Sequence, residues 1–120
     1  MTLDEYQERA MTTCLPSSKN FTYMMLNLVG EVGEFASKVA KAIRKEKAII
    51  DANRLYTEYA APMSIDEVSD LRNEAGDILW QLSGLCSVMH WSLEDIAARN
   101  LEKLASRKER NVIDGSGDNR

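Results

Sequence analysis

The fold is decided by residues 68–89, which read VSDLRNEAGDILWQLSGLCSVM. Apolar residues recur here at intervals of three and four positions, which is the period of one face of an α-helix and not that of a strand. This stripe consists of Val68, Leu71, Ala75, Ile78, Leu82, Leu85 and Met89. Ser64 and Glu67 stand just before it at the spacing of a capping box, which marks a helix start. The stretch therefore predicts a long helix that ends at about Met89.

A second long helix is predicted upstream, from near Asn20 to about Lys45. Its apolar residues also follow the helical period, and they are Phe21, Met25, Leu28, Val32, Phe35, Val39 and Ile43. Two helices of this length, each with one apolar stripe, predict an antiparallel pair that packs stripe against stripe.

Shorter helices are predicted on either side of this pair, one through about Cys14 and one from Ser92 to about Arg110. Each begins with a helix-start signal, formed by Thr2 with Glu5 and by Ser92 with Asp95. A serine or threonine followed three positions later by an acidic residue is typical of a helix N-terminus.

The remaining segments define the domain organisation. Residues 46–63 are expected either to continue the second helix or to form a short separate one that Pro62 ends, and residues 111–120 are expected to be a loop. No stretch shows the alternation of a strand. We therefore expect an all-α protein, an antiparallel helix bundle of about four to five helices that assembles as a homo-oligomer. It would have a helical domain at residues 1–110 and a C-terminal tail.

Composition argues against several function classes. The chain has 120 residues, which suits one domain, and a formal net charge of −4 without a dominant basic run, which disfavours nucleic-acid binding. The first residues lack the layout of a signal peptide, and no apolar run approaches the roughly 20 residues of a membrane span. Cys14 and Cys86 form no zinc or redox motif. We expect a cytoplasmic protein with two reduced thiols and no membrane partner.

Four carboxylates fall on informative helix faces. With about 100° per residue, Glu31 borders the first stripe and Glu34 follows one turn later, so that both can face one point. On the downstream helix, Glu74 lies inside the apolar stripe and Asp77 lies beside it. A carboxylate on a buried face is costly unless it is paired or binds a metal. These positions predict a metal site between the two helices.

The donor type indicates which metal would bind. Carboxylate oxygens without a soft donor select Mg²⁺, with Mn²⁺ as a substitute, over zinc or copper. Acidic pairs at this spacing are also common on solvated faces, and Glu31 with Glu34 alone favours that interpretation. Glu74 does not fit it, because its neighbours on the stripe are apolar.

The same residues resemble a known family, the MazG-like nucleoside triphosphate pyrophosphohydrolases. The ExxE and ExxD signatures of that family are similar to residues 29–35, VGEVGEF, and residues 74–80, EAGDILW. Further similar segments are DEYQ at 4–7, NLEKL at 100–104 and GSGDNR at 115–120. The interval between the two signatures is longer than is usual in the family, so residues 46–63 are an insertion.

The resemblance implies hydrolysis of a nucleoside triphosphate, non-canonical deoxynucleotides included, to the monophosphate and pyrophosphate by attack of water at the α-phosphorus. It implies metal ligation by Glu31, Glu34, Glu74 and Asp77, with Glu34 or Glu31 also acting on the water. Substrate contacts are expected from Lys38, Trp80, Asn100, Lys103 and Arg107.

Some of these substrate contacts have a second interpretation from helix geometry. Lys38 is equally suited to pair with Glu34 as to reach phosphate. Trp80 faces away from its own stripe, which favours a subunit interface over base stacking. Arg107 fits a solvated flank slightly better than a substrate contact.

Rival functions stay open at this stage. A phosphoribosyl-ATP pyrophosphohydrolase and a dUTPase or dCTPase of the same superfamily would share these helices and carboxylates. A helical oligomerisation module without activity would explain the stripes but not Glu74. A ferritin-like iron protein needs Glu-x-x-His motifs on two helices. The chain has a single histidine, His90, and Ser87 stands three positions before it in place of a glutamate. The long stripes also predict a homodimer or homotetramer.

Overall fold

The computed structural model describes residues 1–51, 54–56 and 63–120 of the chain. Four α-helices dominate it, together with one 3₁₀ turn at Pro16–Ser18 and one short pair of strands. In chain order the elements are α1 (Leu3–Met11), α2 (Phe21–Arg44), β1 (Ile49–Asp51), β2 (Arg54–Tyr56), α3 (Ile65–Val88) and α4 (Leu93–Glu109). The mainly helical fold and the helix boundaries agree with the prediction to within a few residues. In the described part of the chain, no helix is both long and apolar enough to cross a membrane.

The predicted capping boxes form at the starts of α1 and α3. The Thr2 hydroxyl accepts a hydrogen bond from the Glu5 amide at 3.1 Å, and the Glu5 carboxylate accepts one from the Thr2 amide at 2.7 Å. Ser64 and Glu67 make the same reciprocal pair. Each box satisfies two backbone amides that would otherwise lack partners at a helix end, which explains why the sequence locates these starts.

Three of the helices end in the same left-handed turn, although none of them uses glycine for it. The residues with positive φ, at 58°, 58° and 56°, are Glu46, His90 and Asn111. After α2, the Lys47 amide then donates to the Ala42 carbonyl at 2.9 Å. This bond is one of the pair that defines a Schellman motif. The turn stops α2 at Arg44 and redirects the chain.

Neither a continuation of α2 nor a separate helix forms at residues 46–51 and 54–56, the described part of this segment, where two short strands lie instead. β1 and β2 pair antiparallel, with Ile49 opposite Tyr56 and Asp51 opposite Arg54. The local residues include β-branched and aromatic types that favour extended backbone, and the turn after α2 has already ended the helix. The predicted helix stop at Pro62 lies outside the described residues.

Helices α2 and α3 run antiparallel along their length. Met24, in the first turn of α2, contacts Gly84 near the end of α3, where an added Cβ would lie 2.6 Å from Met24 Cε. At the opposite end, Lys47 forms an ion pair with Glu67 in the first turn of α3, at 2.8 Å. This inverted order of contacts brings the middle of α2, with Glu31, opposite the middle of α3.

Helix α1 packs against α3 and α4, and the Gln7 side chain connects it to both. The Gln7 amide donates to Ser87 Oγ at 3.0 Å and to the Trp91 carbonyl at 2.9 Å, while its oxygen accepts from the Leu93 amide at 2.7 Å. Gln7 therefore satisfies backbone groups at the α3–α4 junction and ties all three helices together. Sequence reasoning assigned it no role.

The buried core of the single chain is small. Its apolar members are Cys14, Met24, Ala42, Ala48, Leu71, Cys86 and Leu93. Much of the predicted α2 stripe is exposed instead, including Phe21, Met25, Val32 and Ile43. The chain exposes 8,869 Å², whereas a monomeric protein of its mass is expected to expose about 6,500 Å². The stripes are therefore only partly covered within one chain.

The contact between Met24 and Gly84 yields a stability prediction. Gly84→Ala should destabilise the fold by about 1–3 kcal/mol, because the new methyl group displaces the fully buried Met24 side chain. Met24→Ala alone should cost about 2–5 kcal/mol through the cavity that it leaves. In the Met24→Ala background, Gly84→Ala should cost nothing further. Urea unfolding of the four proteins measures this coupling, and additive costs would contradict it.

Candidate metal centre

Three carboxylates from two helices converge on one point. Glu31 of α2 and Glu74 and Asp77 of α3 each offer an oxygen atom, and these three atoms lie within 4.8 Å of one another. Glu74 and Asp77 are neighbours because residues three apart share one helix face. Glu31 reaches them because α2 crosses α3 in the antiparallel direction. The structure thus brings together three of the four predicted ligands.

The charges in this cluster repel one another. Burial raises the pKa of Glu31, and the nearby carboxylates of Glu34, Asp77 and Glu74 raise it further. Asn27 opposes this shift by donating a hydrogen bond to Glu31 Oε1 at 3.2 Å. Burial and the neighbouring carboxylates thus disfavour the charged form of Glu31, whereas the hydrogen bond from Asn27 favours it. A bound cation would also favour the charged form, because it would relieve the repulsion between the carboxylates.

Glu74 provides the test of whether a cation fits. The residue is only 7% exposed, and Lys38 binds its Oε1 at 2.6 Å. Its Oε2 is buried and has no hydrogen-bond partner. A buried carboxylate oxygen without a partner is costly, and the Glu74 carboxylate also lies close to those of Glu31 and Asp77. The donor set is all oxygen, so the residues fit a hard divalent cation such as Mg²⁺ or Mn²⁺.

Lys38 and Glu34 differ from their predicted places. Lys38 pairs with Glu74 on the facing helix, not with Glu34 on its own helix. Glu34 is exposed and lies outside the converging set of three, although its charge acts on both Glu31 and Lys38. A helix-wheel argument treats one helix at a time, so it could not show that α3 offers Lys38 a nearer carboxylate.

Tyr6 of α1 lies at the edge of the centre and was missed as a site residue. Burial raises the pKa of its phenol, and the charge of Asp77 raises it further. The DEYQ segment at residues 4–7, which resembles a segment of the family, is a sequence signal at this position. No local pattern, however, connects α1 with α3. The position of Tyr6 follows from the docking of α1 through Gln7.

The helix wheel predicted that Trp80 would face away from the apolar stripe of α3, toward a subunit interface or a base. In the structure it contacts the end of α1 instead. Its indole N–H donates to Thr13 Oγ1 at 2.9 Å and to the Ala10 carbonyl at 3.2 Å, which anchors the end of α1 to α3. The side chain is half-buried by its own chain. These contacts give Trp80 an intramolecular role, and its predicted part in substrate binding stays a prediction.

The polar face of α4 meets the C-terminal tail. Arg107 is buried, contrary to the solvated flank favoured for it, and it binds Asp118 Oδ1 at 2.9 Å. Lys103 binds the same oxygen at 3.3 Å. These two cations lower the pKa of Asp118. Asn100 is exposed and, with Lys103, lines a shallow cavity of about 290 Å³.

Comparisons with known proteins identify the family of the chain. Residues 19–112 match the family described as the MazG nucleotide pyrophosphohydrolase domain, which covers α2, α3 and α4. The chain belongs to the MazG family. The chain is 38% identical to Gene 37 protein of Mycobacterium phage L5 over 128 aligned positions, which cover the whole of both proteins. The name of that relative states no activity. No solved structure matches the chain significantly.

Membership in the MazG family places the chain among pyrophosphohydrolase enzymes that are typically dependent on divalent metal. The match includes both signature segments, so the MazG core spans Glu31, Glu74 and Asp77. Helix α1 and most of the tail lie outside it. In this MazG chain, Tyr6 of α1 and Asp118 of the tail therefore lie outside the matched segment.

Metal binding can be tested without turnover. Mg²⁺ should stabilise the protein against heat, by about 2.7 kcal/mol at a concentration 100 times its Kd. Asp77→Asn should raise that Kd at least about tenfold, because it removes one of three charged ligands. Glu109→Gln removes an exposed carboxylate from the end of α4 and is the matched control. Equal Mg²⁺-dependent shifts in both variants would contradict the assignment.

Proposed function

We propose that this MazG protein hydrolyses a nucleoside triphosphate to the monophosphate and pyrophosphate, in a reaction that depends on Mg²⁺. The observation that carries the proposal is the buried Glu74, which converges with Glu31 and Asp77 and whose Oε2 has no hydrogen-bond partner. A structural role would leave this oxygen paired, whereas a metal site that also takes substrate oxygens requires free carboxylate oxygens.

The reaction forms one bond and breaks one. The water oxygen bonds to the α-phosphorus, the bond to the oxygen that bridges α- and β-phosphorus breaks, and pyrophosphate leaves with that electron pair. Glu31, Glu74 and Asp77 would hold Mg²⁺. When bound, Mg²⁺ supplies positive charge to the phosphate oxygens and lowers the pKa of water. Glu34, exposed and outside the converging set, orients the water and accepts its proton, with Glu31 as the adjacent alternative.

The substrate contacts are proposed from what each side chain already binds. Lys38 sits at the centre and can exchange Glu74 for a phosphate oxygen once a cation neutralises that carboxylate. Asn100 and Lys103 are exposed on α4 and suit phosphate oxygens. Arg107 is buried against Asp118, and its contacts favour holding the tail over reaching the substrate.

Glu74→Gln tests the proposed mechanism directly. The variant should lose turnover by at least about 10³-fold, because it removes a ligand charge. It should stay folded, with unchanged or higher thermal stability in the absence of Mg²⁺, since an amide ends the repulsion from Glu31 and Asp77. Lys38 loses its partner carboxylate in this variant, but its side chain is 42% exposed and can be solvated. Circular dichroism and thermal melts measure folding, and an unfolded variant would show that Glu74 is structural.

The substrate class is tested with a panel of canonical and damaged ribo- and deoxynucleoside triphosphates. The panel includes phosphoribosyl-ATP, dUTP and dCTP, because relatives that use these nucleotides remain the alternative enzymes. Pyrophosphate as the initial product supports attack at the α-phosphorus, whereas inorganic phosphate contradicts it. If no nucleotide is hydrolysed and Mg²⁺ does not stabilise the protein, the helical oligomerisation module is the better explanation.

We also propose that the chain assembles as a homodimer or homotetramer. The solvent side of α2 carries a second stripe of apolar and small residues: Leu26, Val29, Gly33, Ala36 and Ala40. The exposed area exceeds that of a typical monomer by more than the roughly 800 Å² that one partner contributes to a standard interface. Self-association would cover this excess.

Light scattering at micromolar concentration tests the assembly. The wild-type protein should be a dimer or tetramer, and Val29→Glu should shift it toward the monomer, because a charge on the stripe disfavours burial. Ile65→Glu is the control, since Ile65 is 89% exposed at the start of α3. A monomeric wild-type protein would refute the proposal.

A further inference from the structure

A cavity of about 200 Å³ lies between the C-terminal part of α2 and the first turns of α3. We call it the lysine cavity, because four of its lining residues are Lys38, Lys41, Lys45 and Lys47. Lys38 belongs both to this cavity and to the metal centre, since its Nζ lies 2.6 Å from Glu74 Oε1. The cavity therefore opens directly beside the carboxylates.

The charge of the lysine cavity is opposite to that of the chain. Among the described residues that line it, two carboxylates, Glu67 and Asp70, face four lysines, although the protein carries a net charge of −4. Lys47 is paired with Glu67. Within the described residues, Lys41 and Lys45 form no ion pair. Two lysine charges are thus available to an anion at this position.

The size of the lysine cavity limits the ligand. Pockets for drug-sized molecules have volumes of about 300–1,000 Å³, so a cavity of about 200 Å³ suits a smaller group than a whole nucleotide. Lysine ammonium groups act as compact point charges toward phosphate oxygens. A short polyphosphate meets both conditions, because it is small and carries several negative charges.

We propose that the lysine cavity holds the β- and γ-phosphates of the substrate and then the pyrophosphate product. This rests on the proposed function, in which the α-phosphorus lies at the carboxylate centre. Lys38 stands between the two sites, and Lys41 and Lys45 extend the positive charge away from the centre. The cavity would align the leaving group and discriminate triphosphates from monophosphates.

Pyrophosphate binding tests the cavity without turnover. With Mg²⁺ present, calorimetry should give a lower Kd for pyrophosphate than for orthophosphate. The double variant Lys41→Gln/Lys45→Gln should weaken pyrophosphate binding by about 10- to 100-fold, the usual effect of losing charged hydrogen bonds. It should leave orthophosphate binding almost unchanged. Lys19→Gln/Lys108→Gln removes the same charge from exposed positions and should keep wild-type affinity.

A helix-end role for these lysines makes a different prediction. Lys41 and Lys45 lie in or just after the last turn of α2, where positive charge stabilises the helix dipole. If that is their whole role, the double variant melts at a lower temperature but binds pyrophosphate as the wild type does, and the proposal is overturned. The Lys41→Arg/Lys45→Arg variant should restore pyrophosphate binding if the cavity recognises the anion.

Failure of the cavity and failure of the function are distinguishable. If a nucleotide is hydrolysed with the same KM by wild type and by Lys41→Gln/Lys45→Gln, the cavity proposal falls and the function stands. If pyrophosphate binds through these lysines but no nucleotide is hydrolysed, the cavity stands and the function falls. If neither pyrophosphate binding nor hydrolysis occurs, both are wrong.

Discussion

The candidate site depends on the burial of one carboxylate, that of Glu74, between two antiparallel helices. Its Oε1 is held by Lys38, its Oε2 has no hydrogen-bond partner, and the carboxylate converges with those of Glu31 and Asp77. Desolvation and like-charge repulsion both oppose this arrangement. It persists because α2 and α3 are fixed at their two ends, by Met24 against Gly84 and by Lys47 against Glu67. The helix packing thus holds together a cluster of carboxylates whose mutual repulsion a cation would relieve.

The small and partly polar interior also limits the stability of a single chain. Gln81 and Ser83 are buried next to the few apolar core residues, and each has a side-chain oxygen without a hydrogen-bond partner. Apolar residues on the outer side of α2 remain exposed. A short chain with a polar interior buries little apolar area, so its stability depends on the α2–α3 contact and on what covers that outer side.

Charge is separated along α2 in a way that matches a phosphate chain. Glu31 and Glu34 lie in the middle of the helix, whereas Lys38, Lys41 and Lys45 follow toward its C-terminal end. Lys38 is paired with Glu74, and the helix dipole favours the positive charge of Lys41 and Lys45 at that end. One helix therefore presents a carboxylate region and, one to three turns later, a lysine region.

The sequence by itself determined the helices, their capped starts and the burial of Glu74, because caps and apolar periodicity act within a few residues. It also indicated the family through two short motifs. Only the tertiary structure decided that Lys38 binds Glu74, that α1 covers Trp80, that Arg107 holds Asp118, and that β1 pairs with β2. These outcomes depend on which elements meet across long stretches of chain, and a local pattern carries no information about the partner.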